Sequence, residues 1–474
     1  MCGILGLWSR TDVAERLLYG LTALQHRGQD SAGAVTFDGM FHIKKGHGLV
    51  NQVFEPKHIA RLRGTSGLGH IRYATMGTTN ALDAQPIYVN YPYGVAMVHN
   101  GNVVNFRHVR DTLYRDHHRL VDTSNDIALL LYTFAAHLEK CDLEHLTIDD
   151  LFACVRATQR DVHGAYAVVA IVANRGLLAF TDPHGIRPLA LGVRGDADVA
   201  VASESSCLDY LGYEHLGDLG PGEAVFVDQE MRIHRHQGEQ ADRAFCVFEY
   251  IYFAREDSIL HQRLVADERM RMGHALADAV RDAGIAADVI VDVPSSGFFF
   301  ASALADALGV PYRRGLAKNR HIGRSFIVPS QGERELLVRQ KLNPIRSMVA
   351  GRRVAVVDDS IVRGTTSRHL VQMLRAAGAR EVYMISASPP IRHPCVYGID
   401  MSTHAELIAA THDVEATRQL LGADALLYQP LEALKALYAD DGMCYACFDA
   451  QYPTGDARQT LCDVAREKRD AHRS

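Results

Sequence analysis

Val356-Val357-Asp358-Asp359-Ser360-Ile361-Val362-Arg363-Gly364-Thr365-Thr366 joins an apolar strand to two adjacent carboxylates, then to a loop of small residues that opens a helix. Carboxylates at the carboxyl end of a strand accept hydrogen bonds from vicinal hydroxyls or face Mg²⁺, while backbone N–H groups at a helix N-terminus suit a phosphate dianion. The order therefore fits a phosphorylated ribose: Asp358 and Asp359 for the sugar and a metal, Ser360 to Thr366 for the phosphate. The plainer alternatives are that the acid pair caps the next helix and that the loop is ordinary turn chemistry.

Outward from this run, the second half repeats strand, loop and helix. Val289 to Val293 ends at Pro294-Ser295-Ser296-Gly297, and a helix from about Phe298 to Leu308 stops at Gly309. Strand Val354 to Val357 leads through the acid pair to a helix from about Ser367 to Ala377, closed by Gly378, and a strand from Val382 to Ser388 follows. This pattern predicts a doubly wound, mostly parallel sheet with ligands at the carboxyl ends of its strands. The first half instead alternates β-like runs, such as Val95 to Val98, Ala165 to Val172 and Val199 to Ala202, with helical patterning at Ala14 to Leu24 and Asp126 to Leu138. It reads as an α/β sandwich. The polar, aperiodic stretch from Gln237 to Asp242 divides them, giving domains 1–236 and 237–474.

A chain of 474 residues is comfortable for two cores. Its net charge of −6 argues against a general nucleic-acid or anionic-membrane binder, and no apolar run is long enough to span a bilayer. The expected location is cytoplasmic. Nine cysteines, an odd number without a signal peptide, do not form a disulfide framework. Cys141, Cys154, Cys207 and Cys462 have no motif around them and read as ordinary small residues.

The chain begins Met1-Cys2-Gly3-Ile4. Removal of Met1 would leave a thiol and a free α-amine on one residue, and that amine titrates near neutrality, so it can serve as base for its own nucleophile. Four further runs follow in order: His26-Arg27-Gly28-Gln29-Asp30-Ser31-Ala32-Gly33, Gly69-His70-Ile71-Arg72-Tyr73-Ala74-Thr75, His99-Asn100-Gly101-Asn102, and Asp182-Pro183-His184-Gly185-Ile186-Arg187-Pro188-Leu189. Together they resemble the N-terminal nucleophile (Ntn) glutaminase domain of class II amidotransferases, whose fold is an αββα sandwich. The resemblance implies Cys2 as nucleophile, Asn100 and Gly101 as oxyanion hole, and a glutamine site made by Arg72, Thr75 and Asp126. Where the family usually has Ser-Asp-Thr/Ser-Glu, this chain has Asn125-Asp126-Ile127-Ala128, and Asp126 can also be read as a helix cap.

The run from Val356 to Thr366 resembles the phosphoribosyl diphosphate (PRPP) signature of type I phosphoribosyltransferases. Joined to a glutaminase, it makes the whole chain similar to the glutamine phosphoribosyldiphosphate amidotransferase family. That similarity implies ammonia made at Cys2 displacing Mg²⁺-bound diphosphate from PRPP, a homo-oligomer (dimer or tetramer), and purine nucleotides as feedback inhibitors. Lys318 to Phe326, including Arg324, matches the family's loop over PRPP. From Arg313 to Arg353 there are eleven Arg or Lys against Glu333 and Glu335, a local excess suited to diphosphate. Ser296 fits a hydroxyl ligand of Mg²⁺ beside Asp358 and Asp359, and Ser295 replaces a residue that is usually acidic. The departures at Ser295 and Ala128 raise two other readings, a specialised paralogue in a secondary-metabolite pathway and a PRPP-binding regulatory protein with reduced turnover.

Cys246, Cys395, Cys444 and Cys447 form a set of four thiols suited to zinc or an iron–sulfur cluster; donor chemistry alone favours zinc, the commoner structural Cys₄ site. The positions resemble those of the family's [4Fe–4S] branch, which implies a cluster held by the C-terminal segment.

Overall fold

The computed structural model describes residues 1–73, 84–196, 198–319, 342–401, 403–457 and 460–461. Two antiparallel sheets dominate the first half. In the seven-stranded sheet the middle strand, Gly3–Ser9, lies between Asp198–Ala202 and Ser66–Arg72. In the six-stranded sheet Val95–Val103 pairs with Gly164–Val172, so Asn100 stands opposite Ala167. The run Gly164–Val172 shows no hydrophobic alternation because both of its faces are covered. Tyr166, Val168 and Ala170 pack with the helices Ile127–Leu138 and Ile148–Asp161, while Ala167, Val169 and Ile171 meet Ile4, Val35 and Leu68 of the facing sheet. Helix Ala14–Ala23 covers the outer face of the seven-stranded sheet through Leu17, Leu18 and Leu21. The result is helix, sheet, sheet, helix.

The second half holds a parallel sheet in the order Val289–Asp292, Arg353–Asp358, Glu381–Ser386, Ala425–Tyr428. Alternate residues of Arg353–Asp358 serve opposite cores: Val354 and Val356 pack with Leu370, Val371 and Leu374 of helix Thr365–Ala376, while Ala355 and Val357 pack with Phe300, Ala301 and Leu304 of helix Phe298–Leu308. Helices on both faces make this sheet doubly wound, as the strand and helix pattern predicts. The helix after the acid pair starts at Thr365, two residues before its predicted start, because Gly364 at φ +74° turns the chain directly into it. The third strand ends at Ser386 rather than Ser388, level with the end of its neighbour at Asp358, with which Ser386 pairs. Among the described residues no helix is long and apolar enough to cross a membrane.

Candidate functional site

The antiparallel register Gly3↔Ile71 brings the first residues of the chain beside the end of strand Ser66–Arg72, and so Cys2 beside Arg72. The Cys2 backbone N–H donates to Asn100 Oδ1 at 3.1 Å, and its carbonyl accepts from Arg27 Nε at 3.0 Å. Asn100 is buried, and among the described residues its Nδ2 has no hydrogen-bond partner. An unmet buried donor beside a thiol is what an oxyanion needs. Gly101 follows at φ +155°, where a Cβ would lie 1.8 Å from the Ala165 carbonyl oxygen, so no side chain fits there. Met1 is buried against the same region, and that burial lowers its amine to about 5.

Asp126 immediately precedes helix Ile127–Leu138 but its side chain does not cap it. Oδ2 accepts the Val103 N–H at 2.9 Å and Oδ1 faces His99 Nε2 at 3.2 Å. Burial raises the carboxyl, but His99 and the hydrogen bonds prevail and hold it below the usual carboxylate range. The helix-cap alternative therefore fails, and an ionised carboxylate with further acceptor capacity remains at the site. His99 is itself fixed by Gln85, which accepts the His99 N–H at 2.7 Å and meets Nδ1 through Nε2 at 2.8 Å. Thr75 lies outside the described residues.

The second site is assembled by the pairing Asp292↔Val357, which places two strand ends side by side. Val289–Asp292 leads into Pro294–Gly297, and Gly297 packs so closely on the Val357 carbonyl that a Cβ would sit 2.4 Å from it. Ser296 therefore occupies the turn next to the end of the acid-pair strand. Asp358 is buried beside Asp359. Desolvation first, and the neighbouring carboxylate second, push Asp358 well above the ordinary carboxylate range. The Asp359 N–H donates to Asp358 Oδ1 at 3.0 Å and the Ser360 hydroxyl to Asp359 Oδ2 at 2.6 Å. No side chain caps helix Thr365–Ala376, so the acid pair is not its cap. Ser360, Ile361, Val362, Arg363 and Gly364 form the loop at that N-terminus, with Thr365 and Thr366 in its first turn. The Arg363 guanidinium reaches Glu406 at 3.2 Å. Lys318 is exposed at the end of the short strand Leu316–Lys318, and Arg324 lies outside the described residues. Arg269, which belongs to none of the sequence motifs, is a buried guanidinium held by the carbonyls of Tyr250 and Ala254, and its charge bears on Asp359.

Cys246, Cys395, Cys444 and Cys447 line one cavity with Ile186 and Phe248. Parallel pairing of Phe245–Cys246 with Met443–Cys444 sets Cys246 opposite Cys444. The Cys395 sulfur accepts the Tyr397 N–H at 3.3 Å. Burial pushes the Cys246 thiol up to about 11 and raises Cys444 and Cys447 further. Among the described residues no three His, Cys, Asp or Glu side chains are arranged to hold a single metal ion.

The two halves meet at these sites. Arg27 makes a bidentate pair with Glu249 at 2.9 and 3.0 Å and also reaches Glu204, all three with buried side chains. Asn102 Nδ2 donates to the Val396 carbonyl at 2.9 Å, and Gly398 lies against the Gly101 backbone. Sequence reasoning gave Glu204, Glu249, Val396 and Gly398 no role, and Arg27 and Asn102 appeared only inside longer motifs. The partners of Arg27 and Asn102 lie far away along the chain, so no local pattern states these contacts.

Residues 70–210 match the glutamine amidotransferase domain, and residues 259–387 the phosphoribosyl transferase domain. The amidophosphoribosyltransferase of Haemophilus influenzae is 43% identical across 99% of this chain and 96% of its own length. That of Bacillus subtilis is 41% identical across 98% and 97%. The chain belongs to the amidophosphoribosyltransferase family. Among solved structures, the B. subtilis PRPP amidotransferase complexed with ADP and GMP aligns at TM-score 0.85 and 39% identity, covering 96% of this chain and 98% of that one. Like its family, this chain unites an Ntn glutaminase with a phosphoribosyltransferase, and it is a glutamine amidotransferase and pentosyltransferase. It converts glutamine, water and PRPP to 5-phosphoribosylamine, glutamate and diphosphate.

Proposed function

We propose that Cys2, freed of Met1, attacks the glutamine side-chain amide, with its own α-amine relaying the thiol proton to the departing ammonia. Asn100 Nδ2 and the Gly101 N–H stabilise the oxyanion, Arg72 pairs with the substrate α-carboxylate, Thr75 contributes to glutamine binding, and Asp126 takes the α-ammonium. Water then frees Cys2 and releases glutamate. The observation that carries this reading is the hydrogen bond from the Cys2 nitrogen to Asn100 Oδ1 beside an amide Nδ2 with no described partner.

Ammonia attacks the anomeric carbon of PRPP in the second site as diphosphate leaves. Asp358 and Asp359 hold the ribose hydroxyls, Ser360, Ile361, Val362, Arg363, Gly364, Thr365 and Thr366 hold the 5′-phosphate, and Lys318 and Arg324 meet the diphosphate. The adjacent carboxylates and the Ser296 hydroxyl are oxygen donors that fit Mg²⁺, which would supply charge neutralisation on the leaving group. We place the domain boundary at residues 237–242. Cys246, Cys444 and Cys447, buried, and Cys395, half-buried, line one shared cavity, and their positions resemble those of the family's [4Fe–4S] branch. Cys246, Cys395, Cys444 and Cys447 would hold a [4Fe–4S] cluster that ties the C-terminal segment to the sheet domain. The B. subtilis relative with bound ADP and GMP supports purine nucleotides as feedback inhibitors.

The test is Cys2→Ala. Glutamine-dependent synthesis should vanish while ammonia-dependent synthesis persists, and intact mass of the active wild type should show Met1 absent. A folded variant that fails with ammonia as well would refute the two-site scheme.

A further inference from the structure

Cys141 and Cys154 have no motif in the sequence and no place in either site, yet the fold brings their sulfurs to 3.6 Å. Cys141 lies in the turn that ends helix Ile127–Leu138, and Cys154 sits within helix Ile148–Asp161. Cys154 is buried in the apolar layer over the six-stranded sheet; Cys141 is half-buried at its edge. One thiol is thus open to reagents, and a second waits behind it.

We propose that this pair is a redox modification site, a dithiol that low-molecular-weight disulfides of the oxidised glutathione class convert to an intramolecular cystine. The Cys141 sulfur attacks one sulfur of the external disulfide, breaking its S–S bond, releasing one thiol and leaving a mixed disulfide on Cys141. The Cys154 sulfur then attacks the Cys141 sulfur, breaking the mixed disulfide and releasing the second thiol. Two protein thiols are oxidised, one external disulfide is reduced to two thiols, and the two protein S–H protons end on those thiols. A disulfide bond is about 2.05 Å long, so the sulfurs close by about 1.5 Å, within reach of side-chain rotation at the end of a helix. Burial, and the neighbouring Cys141 second, raise the Cys154 thiol above its ordinary range, so the half-buried Cys141 is the first to attack. The cystine would pin the end of helix Ile127–Leu138 to its neighbour.

Trypsin cleaves after Lys140 and Arg156, so one peptide, 141–156, carries both cysteines and no other. The full-length protein is treated with oxidised glutathione, alkylated and digested. The expected result is a 141–156 peptide lacking two hydrogens and both alkyl groups, restored by dithiothreitol, with a raised thermal midpoint for the oxidised protein. In Cys154→Ser the same treatment should leave a glutathione adduct on Cys141; in Cys141→Ser, Cys154 should be recovered alkylated. A wild-type peptide recovered doubly alkylated, or with a stable adduct at Cys141 beside a free Cys154, overturns the proposal.

Discussion

Gly398→Ala would test whether the C-terminal segment sets the geometry of the glutaminase site. Gly398 adopts φ +97°, and a Cβ there would lie 3.0 Å from the Gly101 carbonyl oxygen and 3.1 Å from its carbonyl carbon. Both contacts are backbone and tighter than ordinary packing, so Gly101 must shift by a few tenths of an ångström. Nor can Gly101 yield freely, because the Ala165 carbonyl already fills the space where its own Cβ would be. The alanine itself costs about 1–3 kcal/mol in that backbone region, which a chain of this size should survive. Losing one oxyanion donor outright costs roughly 10²–10³ in rate, so partial misalignment of the Gly101 N–H should lower glutamine-dependent kcat by about 10- to 100-fold, or about 1.4–2.8 kcal/mol. Glutamine hydrolysis and ammonia-dependent phosphoribosylamine formation are measured on the same preparation. The second should stay within about twofold, since no PRPP-binding residue moves. Equal loss in both reactions, or an unchanged glutaminase rate in a folded variant, would refute the reasoning. Asn102→Ala, which removes the bond to the Val396 carbonyl without adding bulk, should give a smaller loss with the same selectivity.

Asp358→Asn with Asp359→Asn should abolish PRPP turnover while changing folding stability by less than about 1 kcal/mol, because the pair repels itself in the free protein; retained PRPP binding by calorimetry would deny the pair its role. The raised Asp358 pKa also fixes a pH dependence. The free folded protein holds a proton there that the unfolded chain gives up near its lower ordinary pKa, so this contribution to stability is present at low pH and is lost as pH rises through the folded value. PRPP with Mg²⁺ needs the ionised pair, so binding should release a proton and tighten with pH up to that value, as calorimetry in buffers of different ionisation heat would show. Anaerobically purified protein should be brown with about four irons and four sulfides per chain; one zinc and no acid-labile sulfide would remove the cluster assignment.

The acid-pair run was legible because its elements are contiguous: strand, carboxylates, loop and helix follow one another, and each obeys a local rule. Cys2, Asn100 and Gly101 were legible only as separate motifs, and the strand register Gly3↔Ile71 is what joins the first of them to Arg72. Asp126 shows where local reading ran out. Its position before a helix made a cap reasonable, but burial beside His99 and the Val103 N–H turned the side chain elsewhere. Cys141 and Cys154 could not be paired from sequence, since nothing in thirteen residues of turn and helix states how two helices pack. The pairing of Arg27 with Glu204 and Glu249 was invisible for the same reason on a larger scale.

Those last residues give the coupling between the halves a physical route. The Arg187 Nε donates to the Tyr397 carbonyl at 3.0 Å, two residues beyond Cys395, and its charge bears on Cys246 and Cys395. Its Nη1, buried and without a hydrogen-bond partner among the described residues, stands 3.6 Å from Glu249. Glu249 grips Arg27, and Arg27 holds the Cys2 carbonyl. A second path runs from Val396 to Asn102 and from Gly398 to Gly101. Both paths start on the loop that carries Cys395, and they end at Cys2 and at Gly101. Because a buried guanidinium left without its counter-charge is costly, the loop cannot relax without disturbing Arg187, and Arg187 cannot move without loosening Glu249. Whatever fixes the four thiols therefore also bears on how Cys2 and Gly101 are placed.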